Sequence, residues 1–93
     1  MNQQSLYDQL VIQIIQYQEK IIGPLAWSQA KEVPGLELQN QNVTLKGNGK
    51  TVLTSLIDQY KTLFGQASVE ACKDAIKESQ ITVSPQDLPD ILK

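Results

Sequence analysis

The stretch from residue 4 to residue 22 constrains the fold more than any other part of this sequence. It contains neither Gly nor Pro and is rich in Gln, Leu and Ile. On a helical wheel its apolar side chains cover most of the circumference and leave a narrow polar strip. The apolar positions are Leu6, Tyr7, Leu10, Val11, Ile12, Ile14, Ile15, Tyr17, Ile21 and Ile22, and the polar strip is Gln9, Gln13, Gln16 and Lys20.

A helix of this kind must be covered on several sides, and a chain of 93 residues has few other elements to cover it. We therefore expect the first helix to present more apolar surface than its own core can bury, and the chain to self-associate through it. The β-branched residues of this stretch would also suit a strand. We favour the helix because the stretch is long and has no turn residues.

A second, short helix is expected directly after the first. Gly23-Pro24 interrupts the helical pattern, because Pro cannot donate a backbone hydrogen bond and disfavours helical geometry in the residue before it. Pro is well placed in the first turn of a new helix, which would reach residue 31 and end at Pro34-Gly35. Its inward side chains would be Leu25, Trp27 and Ala30.

Two more helices occupy the second half of the chain. The third would run over residues 50–64 and end at Gly65, since Gly is common just past a helix C-terminus. Ser68 is a good N-cap for a fourth helix that reaches about residue 79. Residues 84–87 have the form of an N-cap with Pro in the first turn, and predict one final turn.

Residues 36–46 are the least helical part of the sequence. Leu36–Gln39 and Val43–Lys46 alternate between apolar and polar residues on either side of Asn40-Gln41-Asn42, which predicts a small β-hairpin. An irregular loop fits nearly as well. The fold class expected overall is mainly α, with four or five helices in one domain over residues 1–93 and a minor hairpin at about 36–46.

The absence of His and Arg excludes many functions. Without His, the chain lacks the side chain best suited to proton transfer near neutral pH, and His-containing catalytic triads are impossible. A zinc site would have only one Cys and carboxylates. Without Arg, and with a net charge of −2, nucleic-acid binding is disfavoured. We therefore expect a non-enzymatic protein with no metal or cofactor and no nucleic-acid partner.

Compartment signals point to the cytoplasm. The single Cys72 cannot form an internal disulfide, and the first Lys is Lys20, so the N-terminus lacks the positive region of a signal peptide. No uncharged apolar run approaches the length of a membrane span, so no membrane association is expected. The Lys, Asn, Gln and Ile content suggests a bacterial source.

The segment Gly47-Asn48-Gly49-Lys50-Thr51 resembles the end of a phosphate-binding loop. The full motif needs a further Gly where this chain has Thr44, and the chain lacks the parallel sheet of such enzymes. A Gly-rich entry into the third helix is the simpler interpretation. An anion bound at that helix start is more plausible than a nucleotide, because free amides and Lys50 favour it.

Cys72 and the acidic residues have simple structural interpretations. Cys72 lies on the apolar face of the fourth helix, where a thiol usually packs as a small hydrophobe, although a redox-sensing or dimer-linking thiol is the alternative. Glu70, Asp74 and Glu78 share one helical line with Lys residues interleaved, which is typical of a solvated face.

We therefore predict a small adaptor or regulatory subunit that acts as a homodimer or binds another protein. Its interface anchors would be Ile12, Ile15, Tyr17 and Trp27, since large apolar and aromatic side chains dominate interfaces. The alternative is a small-molecule or anion sensor that binds its ligand between the first and third helices. Its ligand-binding residues would be Gly47, Gly49 and Lys50.

Overall fold

The chain is mainly α-helical, with one small antiparallel hairpin, as the sequence predicted. The computed structural model describes residues 3–39, 42–79, 81 and 83–92. Its helices are α1 (Gln3–Ile22), α2 (Leu25–Ala30), α3 (Gly49–Phe64) and α4 (Gln66–Glu78), and its strands are β1 (Leu36–Gln39) and β2 (Asn42–Leu45). Two 3-10 turns, Pro85–Asp87 and Asp90–Leu92, belong to the C-terminal segment, residues 83–92.

The first helix is the centre of the core. It contacts α2, α3, α4 and β2, and four consecutive inward positions have no exposed surface: Leu10, Val11, Ile14 and Ile15. The radius of gyration is 11.8 Å, against about 12.3 Å for a folded chain of this length. The accessible surface is 5456 Å², against about 5,400 Å² for a monomer of this mass.

The burial of these four α1 side chains differs from what the sequence predicted for this helix. The other elements of the same chain cover most of α1, so this helix does not present the excess apolar surface that its wheel suggested. The sequence alone did not show that α1 is covered, because the way in which α2, α3, α4 and β2 surround it depends on the tertiary fold. The apolar part of α1 that stays exposed is its last turn, where Ile21 is 58% exposed.

Glycine reverses the chain between α3 and α4. Gly65 has φ +85°, a conformation that side chains with a Cβ disfavour, and its N–H donates to the Lys61 carbonyl at 2.8 Å. Because the reversal takes one residue, α4 begins at Gln66. The prediction that Ser68 is the N-cap was therefore wrong: Ser68 is buried inside the first turn of α4.

The short α2 exposes one residue that was expected to point inward. Ala26 and Ala30, four positions apart, are both fully buried. With fewer than two turns in the helix, Leu25 lies outside this inward stripe and is 43% exposed. The inward prediction for Leu25 was wrong, whereas Trp27 is half-buried against the core.

The hairpin packs one face on the helices. Leu36 pairs with Leu45, and both are buried. Gly35, at φ +84°, precedes β1, and a Cβ there would lie 2.9 Å from the Lys46 carbonyl oxygen. Residues 40 and 41 of the predicted loop lie outside the described residues, and Asn42 belongs to β2.

Helices α1 and α3 run side by side in the same direction. Gly49 at the start of α3 packs against Tyr7 near the start of α1. At the other end, the Gln18 side-chain amide donates to the carbonyl of Ser68, just beyond α3, at 3.2 Å. The starts of α1 and α3 therefore share one end of the molecule, and their last turns share the other.

Candidate functional site

The three residues predicted to bind an anion line one cleft. Gly47, Gly49 and Lys50 surround a cavity of about 430 Å³ between the start of α3, the start of α1 and the C-terminal segment. The other lining residues of this α3 cleft are Tyr7, Asn48, Gln86 and Asp87. The sequence thus located the segment and the pair of helices, but not the contribution of the C-terminal segment.

Asn48 is the residue that starts α3. It has an extended conformation, and its side-chain oxygen accepts from the Thr51 backbone N–H at 3.0 Å. This is the usual N-cap arrangement, which satisfies one of the unpaired amides of the first turn. The amides of Gly49 and Lys50 precede the first intrahelical donor, Val52, and these two residues line the cleft.

Gly49 is required here by close packing. A Cβ at this position would lie 2.5 Å from Cδ2 of the Tyr7 ring, well inside normal contact distance. Tyr7 is itself buried, and its hydroxyl donates to the Asp87 carbonyl at 2.8 Å. Gly49 thereby allows α1, α3 and the C-terminal segment to meet at one point.

The charges around the α3 cleft are mixed. The Lys50 ammonium donates to the Gln86 carbonyl at 3.0 Å, so it already holds the C-terminal segment in place. Burial, and then the nearby Asp87 carboxylate, raise the pKa of Tyr7. A ligand in this cleft would therefore meet helix amides and an ammonium on one side and a carboxylate on the other.

The four predicted interface anchors do not form one surface. Ile15 has no exposed surface and is a core residue, so it is unavailable to a partner. Ile12 and Tyr17 are half-buried and about 140° apart around α1, given 3.6 residues per turn. Trp27 is half-buried on α2, and its ring N–H has no acceptor among the described residues.

Tyr17 faces α4 and not a free surface. It lines a shallow pocket of about 220 Å³ between α1 and α4, with Glu78 on the opposite wall. A hydrogen bond to the Glu78 carboxylate, burial, and the negative charges of Glu78 and Asp74 raise the pKa of Tyr17. Two residues of the predicted Gln strip, Gln13 and Gln16, line the same pocket.

A different set of apolar side chains is exposed. Among the described residues, the large hydrophobic side chains with the greatest exposure are Ile21 (58%), Leu25 (43%) and Leu63 (48%). We call these three residues the end surface. The sequence analysis placed Ile21 and Leu25 on apolar faces, but Ile21 and Leu63 lie in the last turns of their helices, where no further turn covers them.

Hydrogen bonds between α2 and α3 show which part of the fold carries the end surface. The Tyr60 hydroxyl donates to the Ala26 carbonyl at 2.7 Å, and the Gln59 side chain donates to that of Gln29 at 2.9 Å. Helix α2 therefore packs against the second half of α3. Leu25 is the residue before Ala26, and Leu63 lies three positions after Tyr60, so these two members of the end surface flank this contact in the chain. Ile21 precedes Leu25 across the chain reversal at residues 23 and 24.

Cys72 is a buried core thiol. It has no exposed surface, and the Gln18 side-chain amide lies 3.6 Å from its sulfur as a hydrogen-bond donor. Burial raises the pKa of Cys72 to about 11, although the Gln18 hydrogen bond acts in the opposite direction. A thiol with this pKa carries little thiolate near neutral pH, which suits packing and not redox chemistry.

No protein-family model, curated protein or solved structure matches this chain. Among the described residues, no group of three or more Cys, Asp or Glu side chains is placed to hold a metal ion. None of the described helices is long and apolar enough to cross a membrane.

Proposed function

We propose that this chain is a non-enzymatic protein–protein interaction module, a small cytoplasmic adaptor or regulatory subunit that forms a weak homodimer. The observation that carries the proposal is the end surface. Its three aliphatic side chains come from three different helices and are close in the chain to the last turns of α1 and α3 and the start of α2. The same surface on a second copy is a partner of matching chemistry, and twofold interfaces join identical surfaces in this way.

The size of the end surface sets the expected affinity. At about half exposure each, three aliphatic residues present on the order of 300 Å² of apolar surface, the lower end of the largest patch on ordinary monomers. Two copies would bury on the order of 600 Å², below the total of stable interfaces. At roughly 25 cal/mol per Å² this burial is worth about 15 kcal/mol, and the cost of association, about 4–15 kcal/mol, leaves between about 0 and 11 kcal/mol. Interfaces of this small area are typically weak and transient, so we expect the dimer to dissociate in the micromolar range or above.

Sedimentation velocity over a wide concentration range tests this proposal. The wild-type sedimentation coefficient should rise with concentration, and Leu63→Glu should remain monomeric because it places a charge in the dimer contact. Thr54→Glu is the matched control, since Thr54 is exposed on the same helix but far from its last turn. A wild-type protein that stays monomeric at all concentrations would overturn the homodimer.

A second candidate function is a sensor of small anions or metabolites at the α3 cleft. The specific observation is that Gly47, Gly49 and Lys50 line one cavity whose size falls within the range of small-molecule sites. Inorganic phosphate should then raise the Tm more than chloride at equal ionic strength. Lys50→Ala should remove the rise, whereas Lys46→Ala should retain it. Equal effects of phosphate and chloride would exclude phosphate binding.

A further inference from the structure

A second concavity lies on another face of the molecule, between α4 and the C-terminal segment. This α4 groove has a volume of about 280 Å³ and is lined by Lys73, Ile76, Lys77, Leu88 and Leu92. Its three α4 residues fall on one helical face because they are three and four positions apart. The groove therefore has an apolar floor and two lysines along one edge.

The charges of α4 are divided between its two sides. Asp74 and Glu78 are not among the residues that line the groove, and both raise the pKa of Tyr17 on α1. Lys73 is 3.5 Å from Glu70 in a partly exposed pair, an arrangement that contributes little energy. Lys77 is exposed and has no ion pair among the described residues. The α4 edge of the groove therefore carries two lysines, on a chain whose net charge is −2.

The size of the groove favours a single side chain as its occupant. Its volume lies just below the range that is usual for small-molecule sites, about 300–1,000 Å³. Its α4 wall is one helical turn long, about 5.4 Å. One large aliphatic side chain fits along a wall of this length, and carboxylates on either side of it would meet Lys73 and Lys77.

We propose that the α4 groove docks an acidic peptide that inserts one large aliphatic side chain between carboxylates. A helix or extended segment laid in a groove is a common mode of peptide recognition, in which an apolar anchor gives affinity and charge gives orientation. An anionic membrane fits less well, because the apolar surface is concave and two lysines supply only about 1 kcal/mol each at a lipid surface. This proposal is independent of the homodimer, which uses the end surface.

Fluorescence anisotropy with three labelled peptides of about ten residues tests the chemistry of the occupant. The first is a Glu-rich peptide with one central Leu, the second replaces that Leu by Ala, and the third replaces each Glu by Lys. We expect the first to bind at low ionic strength and to weaken as salt screens the charges, and the other two to bind at least about 10-fold more weakly. Equal binding of the Leu and Ala peptides, or tighter binding of the Lys peptide, would overturn the proposal.

Charge reversal locates the site. The double variant Lys73→Glu/Lys77→Glu should bind the acidic peptide at least about 10-fold more weakly. The matched control Lys31→Glu/Lys46→Glu changes the net charge equally at exposed positions elsewhere and should lose no more than about 3-fold. Circular dichroism confirms that both variants are folded. Equal losses in the two variants would refute the groove as the site, as would wild-type binding to anionic vesicles without binding to the peptide. Sedimentation of the Lys73→Glu/Lys77→Glu variant reports the homodimer separately.

Discussion

Gly49→Ala is a substitution for which two physical rules predict opposite signs. Ala is a better helix former than Gly by up to about 1 kcal/mol, so helix propensity predicts a more stable protein. The structure predicts the reverse, because the new Cβ would lie 2.5, 2.7 and 2.9 Å from Cδ2, Cγ and Cβ of Tyr7. The last of these atoms is next to the backbone, so a rotation of the ring cannot relieve the overlap.

The magnitude follows from the contacts that must give way. Overpacking of this kind costs about 1–3 kcal/mol. Displacing Tyr7 would also weaken its hydrogen bond to the Asp87 carbonyl, and the net contribution of one such bond to stability is about 0.5–1.5 kcal/mol. After subtracting the helix-propensity gain, we expect a loss of about 1–3 kcal/mol. For a domain of this size, that lowers the Tm by roughly 5–20 °C.

Thermal and urea denaturation followed by circular dichroism measure this loss, and Tyr7→Ala provides the control background. Tyr7→Ala removes the ring atoms at 2.5 and 2.7 Å and keeps the Cβ at 2.9 Å, so Gly49→Ala should cost clearly less in this background, and the two substitutions should show strong coupling. A Gly49→Ala protein at least as stable as wild type would refute the packing argument. The same cost in both backgrounds would also refute it.

Three further predictions concern single side chains. Asn48→Ala removes the acceptor for the Thr51 N–H and should lower the free energy of unfolding by about 1 kcal/mol in urea denaturation; an unchanged midpoint would contradict the N-cap. Cys72 should react with iodoacetamide at least about 100-fold more slowly in the folded protein than in urea, because its thiol is buried and its pKa is raised; fast native labelling would contradict this. Burial raises the pKa of Asp8 above 3.8, so the folded state binds more protons and stability falls as pH rises through the window above 3.8. Asp8→Asn should therefore be more stable than wild type at pH 7 and equal to it below pH 3, and the reverse order at pH 7 would contradict the desolvation of this carboxylate.

Local signals in the sequence were sufficient for most element boundaries. The reversal at Gly65 and the alternation in residues 36–46 predicted where α3 ends and where the hairpin lies, because both depend on backbone preferences of adjacent residues. The prediction that Ser68 caps α4 was wrong for a physical reason. The N-cap preference of Ser68 is weaker than the freedom of Gly65 to reverse the chain in one residue. Local preference cannot show which of two neighbouring residues will control a turn.

The candidate surfaces required tertiary information. Ile15 and Ile21 both lie on the apolar side of the same helix, yet one has no exposed surface and the other is 58% exposed. The difference arises from what the rest of the chain places beside each turn of α1. Gln18 was equally hidden from sequence analysis, since its burial depends on contacts with Ser68 and Cys72, which lie about 50 positions away.

Part of the lining of the α3 cleft could be predicted from the sequence. Gly47, Gly49 and Lys50 are close in the chain, so a local motif was enough to place them together. The remaining lining residues come from distant parts of the chain and include Asp87, whose carboxylate opposes an anion. A local motif therefore located the site, but the charge of its ligand depends on segments that only the fold brings there.

A dilution series followed by ¹H–¹⁵N NMR tests the central claim, that this chain self-associates through the end surface, most directly. We predict concentration-dependent shifts at the amides of Ile21, Leu25 and Leu63 and their chain neighbours, with the amides around the α3 cleft and the α4 groove unchanged. Shifts centred on Ile12 and Tyr17 would contradict the claim by returning the interface to the middle of α1. A spectrum that does not change with concentration would contradict self-association altogether.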